Sequence, residues 1–212
     1  QFGNKIHKLA SICHSNNPDA VYKSLISMWM RPSQVVIGTG DVDMLRSLPQ
    51  AISKMSSFTE RMMLIDLLSY LPGDILTKVD RASMGESLEI RVPFLDHRVV
   101  EHAWRVPLDL KIRGKEGKWL LKQVLYRYVP QDLIDRPKMG FGMPIDEWLR
   151  GPMRGWVEDL LDERCLAADG FFHVPEVRAK WQQHLNGKAN WSHLLWPILM
   201  FQAWFDHYER NR

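Results

Sequence analysis

The sequence predicts an all-α fold, and three observations carry that expectation. Apolar residues recur at three- and four-residue spacing in most segments long enough to show a period. The one β-branched run, Val35-Val36-Ile37, has no partner of similar character nearby and gives no ground for a sheet. The last stretch, residues 191–208, is apolar around much of its circumference, as a helix buried among other helices would be. At 212 residues and 45% hydrophobic content the chain is able to bury one core. No internal repeat, low-complexity tract or linker interrupts it. One body over residues 1–212 is therefore expected, with a helical lead-in over 1–57, a motif-bearing core over 58–150 and C-terminal helices over 151–212.

The lead-in carries two apolar stripes. Ile6, Leu9, Ala10 and Cys13 form the first. Ala20, Tyr22, Leu25, Ile26 and Trp29 form the second, entered through Asn16-Asn17-Pro18-Asp19 and stopped at Arg31-Pro32. A helix over about 59–70 follows, capped by Ser57 or Thr59, with Met62, Met63, Ile65, Leu67 and Leu68 as its apolar content. Leu71-Pro72-Gly73-Asp74 reads as a turn ending on an N-cap aspartate, after which Ile75, Leu76, Val79, Ala82 and Met84 recur at roughly helical spacing. Val92-Pro93 forces extended backbone, and Asp96 caps a helix containing Val99, Val100, Ala103 and Trp104. The helix expected over about 117–128 aligns Leu120, Leu121, Val124, Leu125 and Tyr128, with Lys118 and Lys122 one turn apart beside that face. Pro130, Pro137 and Pro144 break the next segment and leave 136–143 as a loop. Trp148 sits on a short helix. Helices then run through Trp156, Val157, Leu160 and Leu161 and, after a Phe171-Phe172 turn, over 174–185.

A net charge of +3 is small for this length and demands neither nucleic acid nor an acidic membrane surface. The charge is concentrated, however. Lys111, Arg113, Lys115, Lys118, Lys122, Arg127, Arg136 and Lys138 face only Glu116, Asp132 and Asp135, an excess of five in one short span. Cys13 and Cys165 stand far apart in no metal or redox spacing, which argues for a reducing, cytoplasmic setting. No apolar run approaches the ~20 residues of a membrane span, and no signal peptide opens the chain. It opens on Gln1 rather than methionine, which suggests part of a longer protein. The eight histidines are scattered without HExxH, and His102 and His193 read as packing or surface residues. Gly38-Thr39-Gly40-Asp41 is too short for a P-loop, and no GxSxG or catalytic-cysteine signature is present. Nine tryptophans and eleven methionines read as core filler.

Two stretches hold candidate chemistry. Residues 71–96 set Lys78, Asp80, Arg81, Glu86, Glu89 and Arg91 into an apolar frame, which makes them either a salt-bridged core or the wall of a polar site. In Arg136-Pro137-Lys138-Met139-Gly140-Phe141-Gly142 two glycines permit close backbone approach, and Lys138 is either a point charge for a phosphate or oxyanion or an ordinary exposed lysine. Lys118 and Lys122 pose the same choice between a phosphate contact and a solvated helix surface.

The runs DILTKVDRASMGESLEIRVPFLDHRVVEHAWRVP and GKEGKWLLKQVLYRYVPQDLIDRPKMGFGMPIDEWLR closely resemble the C-terminal part of glutamine-dependent asparagine synthetases, most clearly over residues 58–150. The resemblance implies the helical C-terminal portion of an adenine-nucleotide α-hydrolase-like (PP-loop) synthetase domain whose sheet-forming half is missing. It implies an ATP-dependent ligase that adenylates aspartate and passes glutamine-derived ammonia to it, with ATP and Mg2+ required. Its partners would be an N-terminal glutaminase domain and, in some arrangements, a second copy. By the same resemblance Lys138 matches a catalytic, pyrophosphate-stabilising lysine and Lys118 a lysine near the phosphates. Asp80, Arg81, Glu89 and Arg91 match a motif that shapes the site. The SGGxDS pyrophosphate loop and the acidic magnesium-binding loop of that family are not in this sequence, so Mg2+ is expected to be held mainly elsewhere, no metal ligand is assigned here, and the chain alone is expected to be inactive. A relative acting on another carboxylate and a non-catalytic helical module are the alternatives. If the 71–96 charges form a frame, Glu89 and Arg91 should both be buried and paired.

Overall fold

The computed structural model describes residues 17–40, 52, 54–136 and 142–210. They form two compact units, one of residues 17–40 with 142–210 and one of residues 52–136. Both are helical, as the periodicity predicts, and the one sheet among the described residues has two short strands.

The first unit opens with α1 (Pro18–Ile26), whose N-cap Asn17 accepts a hydrogen bond from the Asp19 amide at 2.9 Å while Pro18 supplies a first-turn residue that needs no amide proton. Ser27 turns extended and ends the helix, so Trp29 packs against the core from outside it rather than on the expected stripe. Val35-Val36-Ile37 joins no sheet among the described residues but forms an isolated antiparallel bridge with the turn at residues 171–173. The His173 amide donates to the Val35 carbonyl at 2.9 Å and the Ile37 amide to the Phe171 carbonyl at 2.8 Å. The pairing lies more than 130 positions away in sequence, at a turn whose aromatic residues carry no strand period, and local reading misses such long-range bridges.

The second unit begins with α2 (Phe58–Leu68), capped by Ser57, which accepts from the Glu60 amide at 3.3 Å. The expected break at Leu71-Pro72-Gly73-Asp74 is absent. The chain passes through a wide π turn over Leu71–Leu76 directly into α3 (Thr77–Met84), and Asp74 caps nothing. Pro72 has no amide proton and its ring cannot sit against a carbonyl four residues back, and the wider turn relieves that conflict. The Thr77 hydroxyl donates to the Pro72 carbonyl at 2.8 Å and closes the turn. Extended backbone at Val92 and a 3-10 turn at Pro93–Leu95 lead to α4 (His97–Arg105), capped as expected by Asp96, which accepts from the Arg98 amide at 2.9 Å. Next come α5 (Leu108–Lys111) and a hairpin of β1 (Ile112–Arg113) and β2 (Glu116–Gly117), in register Ile112 to Gly117 and Arg113 to Glu116. Gly114, at φ 60°, takes the first turn position, where a positive φ is needed. The unit ends with α6 (Trp119–Leu125) and α7 (Gln131–Ile134).

The chain returns to the first unit with α8 (Ile145–Arg150), α9 (Arg154–Leu160), α10 (Glu163–Asp169), α11 (Val174–Leu185) and α12 (Ser192–Phe205). Their core is fully excluded from water at Leu149, Val157, Leu166, Val177, Trp181 and Leu195. On α12 the buried residues are Leu194, Leu195, Ile198, Leu199 and Gln202, one helical face. Trp204 stays half exposed, so α12 is buried on one side rather than all round. His184 lies wholly buried in α11. The Trp191 amide donates to its Nδ1 at 3.1 Å, and its carbonyl accepts from Arg150 Nε at 2.7 Å. Its Nε2 stands 3.6 Å from Asp146 Oδ1, a carboxylate paired with Arg150 and bonded by Asn190 Nδ2 at 2.7 Å. His102 and His193 are exposed.

Candidate functional site

The basic span folds around the hairpin and α6. The Arg113 guanidinium stacks 3.8 Å from the Trp119 ring centroid, which ties β1 to the first turn of α6. Between them Lys118 adopts a left-handed backbone, φ 60° and ψ 30°, a conformation that non-glycine residues seldom take. Its side chain is exposed, and no hydrogen bond or ion pair engages its ammonium among the described residues.

Lys122, one helical turn on, is in the opposite state. Its ammonium lies 2.8 Å from Glu116 Oε1 and 2.7 Å from Asp135 Oδ1. The second oxygen of Asp135 accepts from the Tyr126 hydroxyl at 2.8 Å and from Gln131 Nε2 at 2.7 Å. These donors, Lys122 first, hold the Asp135 carboxyl down to about 2, so it stays ionised in any neutral solution. The two carboxylates in turn raise Lys122 well above an ordinary lysine. The sequence shows the spacing of Lys122 and Tyr126 on one helix face. What it does not show is that β2 and the end of α7 deliver two carboxylates to the same ammonium.

The other candidates sit apart from this network. Glu89 and Arg91 pair with each other at 2.9 Å, but their side chains are 68% and 84% exposed. The expectation that both are buried is therefore wrong, while the expectation that both are paired holds. The cause is local: residues 88–92 belong to no helix or strand, and Leu88, Ile90 and Val92 are uncovered along with the charges between them, so among the described residues nothing buries this stretch. Asp80 and Arg81 likewise form a surface pair at 2.9 Å. No hydrogen bond or ion pair among the described residues joins either pair to Lys118 or Lys122. Lys138 and Cys13 lie outside the described residues. Among the described residues no group of three or more His, Cys, Asp or Glu side chains is placed to hold a metal ion. No helix in them is long and apolar enough to cross a membrane.

The family model for asparagine synthase matches residues 2–206, nearly the whole chain. The chain belongs to the asparagine synthase family. It is 34% identical over 154 residues to asparagine synthetase [glutamine-hydrolyzing] 1 of Bacillus subtilis, a match covering 72% of this chain and 24% of that protein. A putative asparagine synthetase [glutamine-hydrolyzing] of Mycobacterium bovis is 38% identical over 148 residues, covering 68% of this chain and 22% of that protein. The human asparagine synthetase [glutamine-hydrolyzing] is 30% identical over 140 residues, covering 58% of this chain and 24% of that protein. The chain thus spans about a quarter of the length of the curated asparagine synthetases it matches. No solved structure matches it significantly. The helical architecture fits a C-terminal portion of an asparagine synthase domain.

Proposed function

We propose that this chain is the helical C-terminal part of the synthetase domain of a cytoplasmic, glutamine-hydrolysing asparagine synthetase. The observation that carries the reading is the family match over residues 2–206. In the reaction the side-chain carboxylate of aspartate attacks the α-phosphorus of ATP, and the bond to pyrophosphate breaks. Ammonia released from glutamine by an N-terminal glutaminase domain then attacks the activated acyl carbon and loses a proton. AMP departs and asparagine remains.

Negative charge builds on the phosphates as pyrophosphate leaves, and fixed cations there lower the barrier. Lys138 is assigned to the departing pyrophosphate, on the strength of its motif. Lys118 is assigned to the nucleotide phosphates, and its exposed ammonium, free of any acidic partner among the described residues, supports that role. Lys122 is not assigned there, because Glu116 and Asp135 more than neutralise it. Asp80, Arg81, Glu89 and Arg91 shape the site. The uncovered Leu88, Ile90, Phe94, Val124 and Tyr128 support the presence of further protein against the second unit, as does the length of the relatives. On this reading the chain alone is inactive, since the cations lack a complete phosphate cradle.

The test is pyrophosphate release by the full-length protein with ATP and a panel of carboxylates. Release that requires aspartate, with asparagine formed when glutamine is added, is the expected result. Release driven by another carboxylate, with aspartate ignored, contradicts the reading and favours a relative with a different acceptor.

A further inference from the structure

We infer that Lys122 is a positioning residue for the synthetase reaction, acting through Asp135 on the segment that carries Lys138; the inference rests on the assignment of Lys138 proposed above. Glu116 comes from β2, Lys122 from α6 and Tyr126 from its C-cap, and Gln131 and Asp135 from the start and the C-cap of α7, so one ammonium and one carboxylate tie three consecutive elements together. Both Asp135 oxygens are occupied, by Lys122 at 2.7 Å on one and by Tyr126 and Gln131 at 2.8 and 2.7 Å on the other. The Asp135 amide also donates to the Gln131 carbonyl at 2.9 Å, so backbone and side chain are fixed together.

Lys138 follows Asp135 by three residues, and three residues of chain reach roughly 11 Å at most. Wherever the Lys138 ammonium works, its backbone starts from the point that Lys122 holds. A second role for Lys122 as a phosphate contact does not fit, since one positive charge beside two carboxylates leaves a net negative cluster. Lys122 is also only 27% exposed. A half-buried lysine with two carboxylates is suited to holding structure in place, and precise placement of a reacting charge is where such holding affects rate.

The test is kinetic and uses the full-length protein. Lys122→Met keeps the aliphatic stem and removes the ammonium. It is expected to lower kcat for asparagine formation on the order of 10- to 100-fold, the cost of displacing a reacting group by about 1 Å, while KM for aspartate and ATP stays close to wild type. Lys122→Arg, which keeps the charge, recovers most of the rate. Asp135→Asn preserves shape, guards against a folding failure in Lys122→Met, and reproduces its effect. The double variant is no worse than either single one, because the two residues act as a unit. In a Lys138→Ala background Lys122→Met lowers the residual rate no further. Hydrogen exchange on the full-length protein supplies a readout that needs no activity: Lys122→Met should raise exchange over residues 131–136 and leave residues 174–185 unchanged.

An unchanged kcat, a change confined to KM, an equal further loss in the Lys138→Ala background, or unaltered exchange over 131–136 overturns the inference and leaves the Lys138 assignment standing. Full synthesis by Lys138→Ala overturns that assignment, and the inference with it.

Discussion

His184 shows at the scale of one residue how much a side chain's surroundings decide. The Trp191 amide donates to its Nδ1, so the ring's proton sits on Nε2 and the residue is held neutral. Burial, followed by the nearby Arg150 charge, lowers its affinity for a proton, with Asp146 opposing. A histidine whose folded pKa lies below its ordinary value takes up its proton more readily when the chain unfolds. Stability of the first unit should therefore fall as pH drops from about 6.5 through the lowered pKa, and be unaffected by this group above that window. His184→Gln should flatten that limb of a stability-against-pH curve measured by denaturation. An equally steep limb in the variant would show that another group sets it. The sequence shows eight histidines and nothing to single this one out, since its value depends on partners from α8 and from the turn before α12. Glu89 and Arg91 make the converse point. Their charges within an apolar motif invite a buried frame, yet burial depends on what packs over an irregular run, and among the described residues nothing buries it.

The same contrast separates elements. Helices with a local start signal were legible: Asn17, Ser57 and Asp96 each cap the helix expected after them, because capping depends on residues two or three apart. The end of α11 at Leu185 was legible too. The wide turn at Leu71–Leu76 was not, because Pro72-Gly73 carries the composition of a chain break and only the hydrogen bonds around it carry the helix through. The β1–β2 hairpin was missed for its brevity, with two residues per strand and only Gly114 as a signal. Burial divides the helices further. On α12, Leu195 is wholly buried, so Leu195→Ala should destabilise the chain by about 2–5 kcal/mol in chemical denaturation. On α6, Leu121 is exposed, and Leu121→Ala should change stability by only about 0.5 kcal/mol. Equal losses at the two positions would contradict the assignment of α12 to a core and of α6 to an open face.

At the scale of the whole molecule, the two units differ in kind. The first closes a core around Trp181, Leu195 and their neighbours. The second carries the basic span, the exposed cation Lys118 and a number of uncovered apolar side chains, Leu88, Phe94 and Tyr128 among them. That division was not legible in a chain with no linker, since it arises from which helices share contacts and not from composition. The family was legible from two motifs read in order, and the match across residues 2–206 bears it out. The central proposal is that this chain supplies positive charge to the pyrophosphate that leaves ATP as aspartate is adenylated. Its most direct test is asparagine formation by the full-length protein carrying Lys138→Ala, with glutamine hydrolysis measured alongside. Synthesis should fall to a small residual rate while glutaminase activity is retained; undiminished synthesis would contradict the claim.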